Sequence, residues 1–199
     1  MGKMNLPNKL TVLRIVLVPV CWVIIMLPPT EAIEGCEMLQ RIIGAVLFVL
    51  LSFTDFLDGM IARKYNFITD FGKFLDPLAD KFLVIGTLVA IAFKDRGGAP
   101  VYTAVLFISI IVVVMRELAV TSLRLLVSKK SGEVIAAKWL GKIKTVSQMV
   151  CIIVVLLEPV LFGESRILSY ITISFMTLMT ILSGIDYFRS YWSFIDFTK

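Results

Sequence analysis

The sequence of 199 residues contains no histidine, which excludes an imidazole general base, a phosphohistidine intermediate and a histidine metal ligand. Its three cysteines, Cys21, Cys36 and Cys151, are scattered and form no C-x-x-C pair. That leaves neither a disulfide framework nor a zinc site, and they read as small apolar fillers. Charge is also scarce: 18% of the residues are charged against 58% hydrophobic, and the mean hydropathy of +0.92 is far above that of a soluble domain. No internal repeat, low-complexity stretch or long linker is present, so residues 1–199 read as one membrane domain. Any acid–base or metal chemistry falls to carboxylates.

The apolar residues come in separate blocks, each long enough to cross a hydrocarbon core about 30 Å thick. The start lacks the small-residue cleavage site of a signal peptide, so the run from Leu10 to Leu27 is expected to stay in the membrane as the first span. Further blocks fall near 39–62, 75–93, 101–127, 134–162 and 166–192. The expected architecture is all-α, with six transmembrane helices. Pro7 and Asn8 suit a short interfacial helix over Asn5 to Lys9 at the lipid surface. Six spans put both termini on one side. Of the basic residues only Arg41, Lys94, Arg96 and Arg166 fall on the other, beside Glu31, Glu34, Glu37, Asp95, Glu158 and Glu164. The positive-inside rule therefore predicts cytoplasmic termini. The net charge of +5 reads as this bias together with attraction to anionic lipid, and it requires no nucleic acid.

Ionisable residues inside apolar blocks are costly and informative. They concentrate where the second block passes through a short loop into the third: Asp55, Asp58, Arg63, Asp70, Asp76, Asp80 and Lys81. Asp55 and Asp58 are three residues apart and Asp76 and Asp80 four apart, so each pair shares a helix face. A short loop makes the two helices antiparallel neighbours. If the pairs face each other, their like charges need cations between them, and oxygen-only ligands suit Mg²⁺ or Mn²⁺. Two such ions about 4 Å apart suit phosphoryl transfer. Two other readings compete: surface ion pairs with Arg63, Lys64, Lys73 and Lys81, and an ion-coupled transporter. A transporter site is expected near the bilayer midplane, whereas this cluster sits at a loop.

Residues 55–80, DFLDGMIARKYNFITDFGKFLDPLAD, fill every fixed position of D-x2-D-G-x2-A-R-x8-G-x3-D-x3-D, with Asp55, Asp58, Gly59, Ala62, Arg63, Gly72, Asp76 and Asp80. The segment resembles the signature of the CDP-alcohol phosphatidyltransferases. Within that family the chain is most similar to the bacterial branch acting on sn-glycerol 3-phosphate, through PNKLTVLR, MRELAVTSLR and GKIKT. The resemblance implies transfer of a phosphatidyl group from CDP-diacylglycerol to sn-glycerol 3-phosphate with release of CMP. Inositol phosphate, or phosphatidylglycerol as in cardiolipin synthesis, are the alternative acceptors. It also implies two divalent ions on Asp55, Asp58, Asp76 and Asp80, with Asp80 the general base. Gly59, Ala62, Arg63 and Gly72 correspond to nucleotide-binding positions, with Thr69 beside them. A homodimer in the bacterial cytoplasmic membrane, with its active site on the cytoplasmic side, completes what the family implies.

The acceptor's phosphate needs fixed cations near that site. Arg116, Arg124, Lys142 and Lys144 are the candidates, Arg116 foremost because it interrupts the apolar run IIVVVMRELAV, with Glu117 beside it. For Arg124, Lys142 and Lys144 the competing reading is snorkelling to the cytoplasmic surface. Asn8, Thr11 and Arg14 share a helix face and are expected to touch CDP-diacylglycerol (Asn8, Thr11) and the glycerol phosphate (Arg14). Lys129 and Lys130 read as lipid-attracting surface charges, and the aromatic stretch YFRSYWSF as an interfacial belt. Pro77, directly after Asp76, either marks the start of the third helix or kinks it.

Overall fold

The computed structural model describes residues 5–28, 36–64, 70–131 and 139–192. Every described element is helical: α1 (Leu6–Met26), α2 (Cys36–Lys64), α3 (Asp70–Lys81), a π-helical turn (Phe82–Gly86), α4 (Thr87–Lys94), a 3₁₀ turn (Asp95–Gly97), α5 (Pro100–Ser131), α6 (Trp139–Phe162) and α7 (Ile167–Tyr191). Five of these, α1, α2, α5, α6 and α7, are individually long and apolar enough to cross a membrane. The remaining expected span is the run from α3 to α4. It is divided by the π turn, and its first half carries Asp70, Lys73, Asp76, Asp80 and Lys81.

The start of α1 differs from expectation. Asn5 caps the helix, its side chain accepting from the Asn8 N–H at 3.4 Å, with proline in the first turn. The segment expected as a separate interfacial helix is therefore the first turn of α1, because a cap and a proline begin a helix without interrupting the one that follows. Helix α3 begins at Asp70 and contains Pro77 within it, so the alternative start near Asp76 is set aside.

Helix α1 packs against α2, α3 and α4, α2 also against α6, and α7 against both α5 and α6. The faces turned inward are apolar and fully buried, with Val18, Phe48, Leu88, Leu106, Ile152 and Met176 forming one continuous core. The opposite faces expose large side chains such as Val16, Ile108, Leu118 and Leu125, the pattern expected when lipid replaces water as the outer solvent. Cys21 and Cys151 lie in the core as free thiols, in accord with a filling role.

Two local devices hold the bundle's register. Gly163 takes φ +63° after α6, where a residue with a Cβ is strained. The Glu158 carboxylate then accepts from the backbone N–H groups of Leu168 and Ser169 at 2.8 and 2.7 Å, capping α7 with a negative charge. At the π turn, the indole of Trp22 lies directly on Gly86, and a Cβ there would come within 2.0 Å of the ring. Gly86→Ala is therefore expected to destabilise the bundle by about 1–3 kcal/mol through overpacking. A lowered melting temperature in detergent reports it, and an unchanged one removes this contact as a constraint.

Candidate active site

The face of α1 carrying Asn8, Thr11 and Arg14 turns inward, as its spacing predicts, and all three are buried. Arg14 is 1% exposed, and its two terminal nitrogens form ion pairs with Asp55 and Asp58 on α2. A single guanidinium reaches both acids because they are three residues apart on one helix face. Thr11 Oγ1, 2.9 Å from Asp76 Oδ1 on α3, also lies 3.5 Å from Asp58 Oδ2. Three helices thus bring Asp55, Asp58 and Asp76 around two donors of α1. Asp58 is buried, whereas the Asp55 side chain is 31% exposed and opens the cluster to the end of the bundle. Gly72, also on α3, is buried.

Asp80, one turn beyond Asp76, makes no hydrogen bond or ion pair among the described residues. It lines a small interior void of about 10 Å³ together with Lys81, Glu117, Lys144 and Gln148. Lys81 donates to Thr121 Oγ1 at 2.6 Å, which ties the end of α3 to α5. The unpaired carboxylate therefore faces both the acids behind it and a second charged group ahead.

That second group is built by α5, α6 and α7. Glu117 pairs with Lys144 and, at 3.0 Å, with Arg116. Arg116 also donates to Ser183, and Arg124 to the Tyr187 hydroxyl. The Tyr187 ring stands beside both guanidinium groups, 5.5 Å from that of Arg116 and 4.9 Å from that of Arg124. Gly141 and Gly184 leave room at this point: a Cβ on the first would meet Tyr187 at 3.7 Å, and one on the second Arg116 at 3.3 Å. A hollow of about 720 Å³ is an apolar groove along α5 and α7 that has Arg116 in its wall and is lined by none of the four acids. Its lining suits acyl chains or neighbouring lipid, and the polar chemistry lies on the inner side of Arg116.

Several sequence expectations change. Arg14, expected on the acceptor phosphate, sits instead on Asp55 and Asp58, because α1 packs against α2 and α3 and not against the α5–α7 cations. Lys142 is exposed and lies 6.0 Å from the Trp139 ring centroid, away from Lys144. Two residues along a helix of 3.6 per turn point to opposite sides, so only one of the two lysines can face inward. Tyr187, expected in an interfacial belt, is fully buried between two arginines. Ser183 and Tyr187, four residues apart on α7 with Gly184 between them, carried no signal that set them apart from the other hydroxyl residues of that helix. The pairing of Glu117 with Lys144 had no sequence signal. Thr69 and the side chains of Ala62, Arg63, Lys129 and Lys130 lie outside the described residues.

The four acids supply hard oxygen donors and no softer ligand, which suits Mg²⁺ or Mn²⁺. Among the described residues no three of them converge on one point, since Arg14 lies between Asp55 and Asp58 and Thr11 between Asp58 and Asp76. The guanidinium thus occupies a position that carboxylates of like charge must fill with a cation. In chemistry and charge the four acids suit divalent ions, and in this geometry the Arg14 guanidinium is the cation between Asp55 and Asp58.

Residues 4–184 match the family model described as CDP-alcohol phosphatidyltransferase. The chain is 41% identical over 198 residues to the CDP-diacylglycerol–glycerol-3-phosphate 3-phosphatidyltransferase of Bacillus subtilis (strain 168), an alignment covering 94% of this chain and 95% of that protein. It is 36% identical to the protein of the same name from Rickettsia felis, over 94% of each chain. A probable phosphatidylglycerophosphate synthase of Mycobacterium tuberculosis (strain H37Rv) is 35% identical over 92% of this chain and 79% of its own length.

Removing one partner of a buried ion pair costs about 3–5 kcal/mol. Arg14→Gln is therefore expected to lower the melting temperature in chelator, and millimolar Mg²⁺ or Mn²⁺ to recover more of it than in the parent protein. Equal metal responses in the two proteins would separate Arg14 from the cation site.

Proposed function

Because this chain belongs to the CDP-alcohol phosphatidyltransferase family, we propose that it transfers the phosphatidyl group of CDP-diacylglycerol to sn-glycerol 3-phosphate. The products are phosphatidylglycerophosphate and CMP, a step of phospholipid biosynthesis. The observation that carries this reading is the position of Asp80, between the carboxylates of α2 and α3 and the cations of α5 and α6. A nucleotide-linked phosphoryl group bound at the first cluster and a phosphorylated alcohol bound at the second would meet at this residue.

The new bond joins the acceptor hydroxyl oxygen to the phosphorus carrying the diacylglycerol, and the bond broken is that to the CMP oxygen. Asp80 takes the proton of the attacking hydroxyl. Lys144, Arg116 and Arg124 hold the acceptor phosphate, with Glu117 positioning the first two through its ion pairs. Asn8, Thr11, Gly59, Ala62, Arg63, Thr69 and Gly72 form the side that receives the nucleotide. Arg63 offers a planar donor fork to phosphate oxygens. Asp55, Asp58 and Asp76, with Asp80, would hold two divalent ions, Mg²⁺ or Mn²⁺, whose chemistry there is to neutralise charge on the transferring phosphoryl oxygens and on CMP. In this reading the carboxylate end of the bundle faces the cytoplasm, in accord with the lysine and arginine bias, and the membrane is a bacterial cell membrane. A homodimer is part of the same reading, supported by the family resemblance.

The basic second cluster favours a phosphorylated acceptor over serine or choline. Purified protein given CDP-diacylglycerol and Mg²⁺ or Mn²⁺ is expected to release CMP with glycerol 3-phosphate and not with inositol phosphate, serine or phosphatidylglycerol. Release with another acceptor instead would keep the mechanism and replace the substrate. Asp80→Asn is expected to slow CMP release about 10²–10⁴-fold while the protein stays extractable and folded; retained turnover would remove Asp80 as the base. Arg116→Ala is expected to raise KM for glycerol 3-phosphate about tenfold or more and leave that for CDP-diacylglycerol unchanged, and equal effects on the two would make Arg116 structural.

A further inference from the structure

The end of the bundle opposite the carboxylates holds a second concentration of buried charge with no part in this reaction. Helix α2 begins there, the turn between α4 and α5 closes there, and α7 starts there. Arg41, on α2, is 5% exposed. Its Nε and Nη2 donate to Glu37 at 3.2 and 3.0 Å, and Nη2 also donates to Asp95 Oδ1. Asp95, in the turn after α4, is equally buried. Arg166, just before α7, has its Nη1 3.6 Å from the other Asp95 oxygen and its guanidinium over the Tyr102 ring at 5.2 Å. Lys94 donates to Gln40 at 2.7 Å and to the Leu27 carbonyl at 3.3 Å.

These groups border a cavity of about 260 Å³ closed on one side by Gly97, Gly98 and Ala99. It has the space of roughly eight or nine waters at about 30 Å³ each. Two features define what it suits. First, Arg41 Nη1 is buried and makes no hydrogen bond among the described residues, and Arg166 Nη1 has only the 3.6 Å ion pair to Asp95 Oδ2 and no hydrogen bond; both residues line the cavity. A buried guanidinium donor left without a hydrogen-bond acceptor is costly, and an apolar or cationic ligand would supply one to neither arginine. Second, the lining cations Arg41, Lys94 and Arg166 outnumber the acids Glu37 and Asp95. Asp95 Oδ2 faces Arg166 Nη1 at 3.6 Å without a hydrogen bond, so a ligand that engages this guanidinium must offer the carboxylate a protonated oxygen or a bridging water.

We propose that this cavity is an anion site that binds a phosphate group through the Nη1 atoms of Arg41 and Arg166. A tetrahedral oxyanion presents several acceptors to two guanidinium donors at once, and arginine is the side chain best matched to it. The phosphate comes either from inorganic phosphate or from the headgroup of an anionic phospholipid in the adjoining leaflet.

Calorimetric titration of the detergent-solubilised full chain distinguishes the sources, with inorganic phosphate in one arm and short-chain phosphatidylglycerol in the other. Phosphatidylcholine serves as the zwitterionic control. The expected result is one saturable event that Arg166→Gln weakens about tenfold or more, that Arg166→Lys weakens less, and that Lys144→Gln at the catalytic end leaves unchanged. Arg166 is 26% exposed on its side chain, so these variants do not strand a deeply buried partner. CMP release by Arg166→Gln is expected to equal that of the parent. Binding in the phosphate arm assigns the free ion, and binding in the phosphatidylglycerol arm alone assigns the headgroup. Binding in neither arm, or binding that Arg166→Gln and Arg166→Lys leave as strong as in the parent, would overturn the proposal and leave a water-filled ion-pair network.

Discussion

A guanidinium held between two carboxylates inside an apolar bundle is the interaction on which the rest of this structure depends. Arg14 is fully enclosed, and a charge so placed is tolerated only with its counter-charges in contact. Asp55 and Asp58 supply them, which fixes how far α1 advances along α2 and which face it turns inward. Thr11, one turn away on the same face, then reaches Asp76 and sets α3 against the same helix. The carboxylates of the family signature are thus assembled by a residue outside that signature.

The same rule governs the other buried charges. Glu117 collects Lys144 and Arg116, Arg41 collects Glu37 and Asp95, and Glu158 caps the start of α7. These groups gather at the two ends of the bundle, and the layer between them is apolar. Such a division gives a membrane enzyme polar chemistry at one surface without weakening the hydrocarbon-spanning layer. It also leaves the far end with a charged cavity of its own.

Asp80 stands where two parts of the bundle meet. Asp76, one turn earlier, belongs to the cluster around α1, while Lys81, one residue later, is tied to α5 through Thr121. The π turn follows at once, and π turns recur at functional sites because they re-aim the residues on either side. Here the turn sets Gly86 against Trp22 of α1 and also packs against α5, next to the Lys81–Thr121 hydrogen bond.

Much was readable from residue order alone. The apolar blocks announced the spans because backbone groups in lipid must be satisfied within a helix, and the carboxylate spacing announced shared faces because helical geometry is local. The inward face of Asn8, Thr11 and Arg14 followed from the same periodicity. What lay beyond reach were pairings across helices. Periodicity tells which residues share a face and not which neighbour that face meets, so the pairing of Arg14 with Asp55 and Asp58 went unforeseen and Tyr187 was matched to the wrong environment. Lys142 and Lys144 looked equivalent until packing chose the one that enters the bundle. The chemistry of the chain was written in residue types and their spacing along single helices. The partners of each buried charge were decided only by the tertiary structure, since ion pairing in a low-dielectric interior depends on distances between segments far apart in sequence.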